Sequence, residues 1–90
     1  MIPTNRIPSN PGEILLNEFL KPSGMTQSEL ARTLGIPIQR INTIINGKRG
    51  VTAETALLLA KQFKTTPEFW MNLQTAYDLA TAARKLKLAA

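Results

Sequence analysis

Apolar side chains recur at spacings of three and four residues in five stretches of the chain, each separated from the next by glycine or proline. That period predicts five helices. In the first, Asn10 is the N-cap, Pro11 sits in the first turn and Glu13 at the third position, with Ile14, Leu15 and Phe19 on one face up to about Leu20. Lys21-Pro22-Ser23-Gly24 ends it, because proline restricts the residue before it and glycine permits a turn. Thr26 opens the second helix. Its hydroxyl can accept from the Glu29 N–H while the Glu29 carboxylate returns to the Thr26 N–H, and Met25 and Leu30 staple the start. Gly35 supplies a left-handed C-terminal residue and Pro37 stands where a third helix can begin, so the turn between them is short. Thr52 caps a fourth helix through about Lys64, with Ala56, Leu57, Leu59, Ala60 and Phe63 as a broad inner face. Thr66 as cap and Pro67 at the first position open the fifth.

Two of these helices carry more than a core stripe. On a wheel of about 100° per residue, the third gathers Ile38, Ile41, Ile44 and Ile45 on one side and centres Gln39 and Thr43 on the other, flanked by Arg40 and Asn46. Every group on that outer side donates or accepts hydrogen bonds, and none is acidic. Such a face suits base edges and phosphates, provided the helix protrudes. An ordinary helical hairpin needs the same cap, turn and stripe, but not the polar set left over. The fifth helix carries Phe69, Trp70, Leu73 and Tyr77, with Ala80 beyond them, an aromatic-rich stripe that serves as core or in part as a dimer contact.

Composition narrows the picture. Ninety residues make one domain around a single core, divided into an extended proline-rich segment over 1–9, the helical domain over 10–81 and a helical tail over 82–90. Cysteine and histidine are absent, which removes disulfides, thiolate nucleophiles and the usual zinc ligands. Glu13, Glu18, Glu29, Glu54, Glu68 and Asp78 are scattered singly, so no paired-carboxylate or triad chemistry has support, and neither catalysis, a metal nor a cofactor is expected. The net charge of +5 favours an anionic partner. Its placement says more: Arg32, Arg40, Lys48 and Arg49 fall between Leu30 and Ala53 with no acid among them. No apolar run approaches the roughly 20 residues a bilayer requires, and Pro3, Pro8 and Pro11 interrupt the start where a secretory signal would be apolar. A cytoplasmic protein is expected.

Leu30, Ala31, Leu34, Gly35, Ile36, Ile41 and Ile44 fall on the apolar, small and turn positions of the phage-repressor helix-turn-helix, which the stretch Thr26 to Asn46 resembles. The fold expected is therefore all-α, a five-helix lambda repressor-like domain with the third helix as reader. Within it, Gln39, Arg40 and Thr43 are candidates for base contact. Gln27, Asn46, Lys48 and Arg49 are candidates for phosphate contact, the last two on a loop whose glycines allow a close approach. Beyond that core, Asn10-Pro11-Gly12-Glu13-Ile14-Leu15, Asn46-Gly47-Lys48-Arg49 with Val51-Thr52, and Thr66-Pro67-Glu68-Phe69-Trp70-Met71-Asn72-Leu73-Gln74 resemble the HigA-type antitoxins, also labelled virulence-associated protein I. Asn10 stands where the family has histidine, and Pro37 where it has a Ser or Thr cap. The resemblance implies a homodimer that binds an inverted repeat of double-stranded DNA in its own promoter, and that neutralises a HigB-like ribonuclease toxin encoded beside it. The alternative is a stand-alone helix-turn-helix regulator without a toxin. A third possibility, an adaptor that no longer touches DNA, predicts poorer polar chemistry at Gln39, Arg40 and Thr43 than is present.

Overall fold

The computed structural model describes residues 9–87. Of the extended segment expected over 1–9 only Ser9 is included, and the last three residues of the tail also lie outside the described residues. Five helices follow in order: α1 over residues 11–23, α2 (Gln27–Leu34), α3 (Ile38–Ile45), α4 (Ala53–Phe63) and α5 (Pro67–Lys85). Asn10, Thr26, Thr52 and Thr66 each accept a hydrogen bond from the backbone N–H three residues on, so the N-caps stand where the polar residues before each apolar run placed them.

The first helix differs from expectation. It does not stop at Leu20 but passes through a π-helical stretch, Leu15–Leu20, into Lys21–Ser23, and ends at Gly24 in the left-handed region with φ 67°. Pro22 has no N–H, and in a regular α-helix its ring would meet the carbonyl four residues back. The wide turn ahead of it relieves that clash, and the Ser23 hydroxyl donates to the Phe19 carbonyl at 2.6 Å. Widening also rotates the helix, bringing Leu15 and Leu20 into the core together, although on a regular helix they would point about 140° apart. Phe19 packs at the edge of that core and Ile14 is only half-buried.

Leu30 and Ala31 of α2, Ile41, Ile44 and Ile45 of α3, Val51 of the loop after it, Ala56, Leu59 and Ala60 of α4 and Trp70 of α5 complete the core. Phe19, Phe63 and Phe69 ring Trp70 at centroid distances of 5.0 to 6.5 Å, and the buried indole N–H donates to Thr65 Oγ1 at 2.7 Å. Leu57, expected on the inner face of α4, is 60% exposed. It lies one step round the helix from Ala56, beyond the reach of the neighbouring helices. Among the described residues no helix is long and apolar enough to cross a membrane.

Candidate nucleic-acid interface

The turn between α2 and α3 is built as local chemistry requires. The Thr26 N–H donates to Glu29 Oε1 at 2.9 Å and the Glu29 N–H to Thr26 Oγ1 at 3.0 Å, a complete capping box. The Thr26 N–H, which donates to the ionised carboxylate, and secondly the nearby Thr26 hydroxyl hold Glu29 below its ordinary pKa, with Arg32 adding a smaller pull. Gly35 closes α2 with φ 71°, its N–H donating to Arg32 and Ala31 carbonyls. Pro37 is extended and occupies the N-cap position of α3, one residue before the first helical residue rather than at it. No side chain caps the helix there, and the Arg40 N–H donates to the Pro37 carbonyl at 3.0 Å.

Ile41, Ile44 and Ile45 anchor α3, and its other side faces outward. Pro37, Gln39, Arg40, Thr43 and Arg49 line a shallow groove of about 230 Å³. Gln39 is exposed and free of side-chain bonds. The Thr43 hydroxyl donates back to the Gln39 carbonyl at 2.8 Å, which leaves its oxygen lone pairs toward the groove. Arg40 is tied down: its Nη1 lies 3.1 Å from Glu54 Oε1 at the start of α4. Glu54 lies one residue beyond the acid-free window of the sequence, and its pairing with Arg40 is tertiary.

The loop after α3 turns at Gly47, φ 77°, and the Thr43 carbonyl accepts from both the Lys48 and Arg49 N–H groups at 2.9 and 3.1 Å. Lys48 is exposed beside the groove and Arg49 exposed at its edge, and Asn46 is the exposed C-cap of α3. Gln27 does not line the groove and is half-buried in the first turn of α2. The stripe on α5 divides. Trp70 is fully buried and therefore core, Leu73 and Tyr77 are half-buried, and Phe69 is 37% exposed. Beside Phe69, the larger apolar exposure is at Leu79 and at the C-cap Leu86, 57% and 67% exposed, on the side of the helix away from Trp70.

Two further residues had no distinct role in the sequence. Gly12 lies against the backbone of Ile44 and Ile45 at the end of α3, where a Cβ would stand 2.6 Å from Ile45 Cα and closer still to the Ile44 carbonyl oxygen. The motif Asn-Pro-Gly-Glu contained the signal, since glycine inside a helix usually marks a close approach. Gln74 reaches from α5 to the loop after α3, a contact no local pattern announces.

Residues 16–70 match the helix-turn-helix family. Virulence-associated protein I of Dichelobacter nodosus is 47% identical over 79 residues, which are 87% of this chain and 73% of that protein. The structure resembles that of an addiction module antidote protein of a HigA family from Coxiella burnetii, with a TM-score of 0.84 and 51% identity over 89% of this chain and 87% of that one. It also resembles Pseudomonas aeruginosa antitoxin HigA, solved with the higBA promoter, with a TM-score of 0.85 and 42% identity over 87% and 85% of the two chains.

Proposed function

Since the chain belongs to the helix-turn-helix family and has the HigA-like antitoxin fold, not that of a catalyst, we propose that it binds operator DNA, represses its own operon and neutralises a HigB-like ribonuclease toxin. The observation that carries the DNA part is the groove of Gln39, Arg40, Thr43 and Arg49 on the outer face of α3, flanked by Lys48. Gln39 pairs with an adenine edge and Arg40 with a guanine edge, Thr43 supports them, and Lys48, Arg49, Asn46 and Gln27 meet phosphates. Arg40 must leave Glu54 to do so. An ion pair with partners 30% and 73% exposed is worth about 0–1 kcal/mol, less than the roughly 1–3 kcal/mol a good bidentate base contact discriminates.

The relatives solved as antitoxins, one of them with its promoter, support the same assignment. An inverted-repeat operator requires a homodimer, and the exposed Leu79 and Leu86 on α5 supply an apolar surface for it. The test is to purify the protein encoded by the neighbouring reading frame and to measure its binding to this chain and its toxicity with and without it. Binding with loss of toxicity supports the antitoxin; promoter binding without either leaves a stand-alone regulator.

A further inference from the structure

The loop that carries Lys48 and Arg49 ends at Val51, whose side chain is buried and whose backbone N–H donates to Gln74 Oε1 of α5 at 2.7 Å. The other end of the same carboxamide is also committed: Gln74 Nε2 donates to Asp78 Oδ1 at 2.8 Å, one turn further along α5. Asp78 therefore fixes which way the amide faces, because a carboxylate can only accept and so selects the NH₂ end, leaving the carbonyl for Val51. Gly50 completes the fit. A Cβ there would come within 3.0 Å of the Gln74 carboxamide, so a side chain at that position would displace it. At the far end of the loop Gly47 lies against the Asn10 side chain, where a Cβ would stand 3.3 Å from Nδ2. The cation-bearing segment is thus bonded at its Val51 end by a single amide from α5, while its Gly47 end adjoins the N-cap of α1.

We propose that Gln74 is a positioning residue for DNA binding, which sets the conformation of the Gly47–Val51 loop and thereby aims Lys48 and Arg49 at the phosphate backbone. The inference rests on the assignment of those two cations as phosphate contacts. Gln74 touches no DNA itself. Without it the Val51 N–H has no partner and the loop is released on that side; the Lys48 and Arg49 N–H groups keep their bonds to the Thr43 carbonyl, so the change falls on the backbone between Arg49 and Val51 and on the direction in which it presents the two cations.

The test uses the full chain and measures affinity as a function of salt for two duplexes, one of mixed sequence and one carrying the promoter upstream of its own gene. Gln74→Ala keeps the net charge and should flatten the slope of log affinity against log salt toward that of the Lys48→Ala/Arg49→Ala double variant, by about 0.9 for each phosphate that is no longer neutralised. Gln74→Glu should flatten it as well, since the new carboxylate faces Asp78. In Gln74→Glu/Asp78→Asn the amide and the carboxylate trade places, both hydrogen bonds can form again, and the net charge of the pair is that of the wild type. This double variant should recover the wild-type slope on both duplexes. A folded Gln74→Ala protein with a lowered melting temperature and an unchanged slope would reduce Gln74 to a stabilising contact and overturn the proposal. So would a double variant that stays as flat as Gln74→Glu. An unchanged slope in Lys48→Ala/Arg49→Ala would instead remove the premise, separately from either of those outcomes.

Discussion

Gly12 and Gln39 sit on opposite sides of α3, and their substitution should fail in opposite ways. Any side chain at Gly12 meets the backbone of Ile44 and Ile45, which cannot swing aside as a long side chain would. Gly12→Ala should therefore cost at least the upper part of the roughly 1–3 kcal/mol typical of overpacking, read as a lowered denaturation midpoint, and should weaken binding to every DNA alike by displacing α3. The Gln39 side chain is exposed and only its backbone carbonyl is bonded, by the Thr43 hydroxyl, so Gln39→Ala should leave the midpoint unchanged. Its effect should appear at one base pair of each half-site, where discrimination falls by about 1–3 kcal/mol. Equal weakening across all single-base operator variants would make Gln39 a phosphate contact instead.

Among the elements, α2 has the start most fully determined by its own sequence, and that start should respond to acid. The Glu29 carboxylate is held below its ordinary pKa by the Thr26 N–H and hydroxyl. A group whose folded pKa is depressed contributes stability above its unfolded pKa and loses it as pH falls through the folded value. The melting temperature of Glu29→Gln should accordingly lie below that of the wild type at neutral pH and converge with it below the range where carboxylates titrate; a constant gap at all pH values would show that the charge of Glu29 has no part in it. The four N-caps were legible in the sequence for the reason that makes them testable: each is a bond between residues three apart. The isoleucine stripe of α3 was legible because its period is local too. Elements shaped by the rest of the molecule were not. The π-helical turn of α1 depends on how Leu15, Leu20 and Pro22 are accommodated together, Leu57 is exposed because no neighbour reaches it, and the partners of Arg40 and Val51 come from other helices.

At the scale of the whole molecule, the proposed DNA and toxin functions would share a small domain, and charge constrains how. Two reading helices of a dimer should lie about 34 Å apart, one turn of B-DNA, and bind an inverted repeat at that spacing or a multiple of it. Leu79→Glu/Leu86→Glu should make the protein sediment as a monomer and cut operator affinity while leaving Trp70 and its ring of phenylalanines intact; an unchanged dimer would move the interface elsewhere. The toxin poses the harder constraint. A ribonuclease must hold RNA and is expected to be basic, and this chain carries a net charge of +5, so opposite net charges cannot hold the complex together. It should rest on buried apolar and hydrogen-bonded contacts and persist in salt that dissociates the operator complex. A complex holding operator and toxin at once would also require a toxin surface separate from Gln39, Thr43 and Lys48, which leaves α1, the residues before it or the far end of α5. Titrating the neighbouring protein into the operator complex, at a salt concentration where DNA remains bound, distinguishes the arrangements: a slower-migrating ternary complex is expected, whereas stoichiometric release of DNA that Gln39→Ala and Thr43→Ala variants resist by failing to bind the toxin would place both ligands on the reading helix.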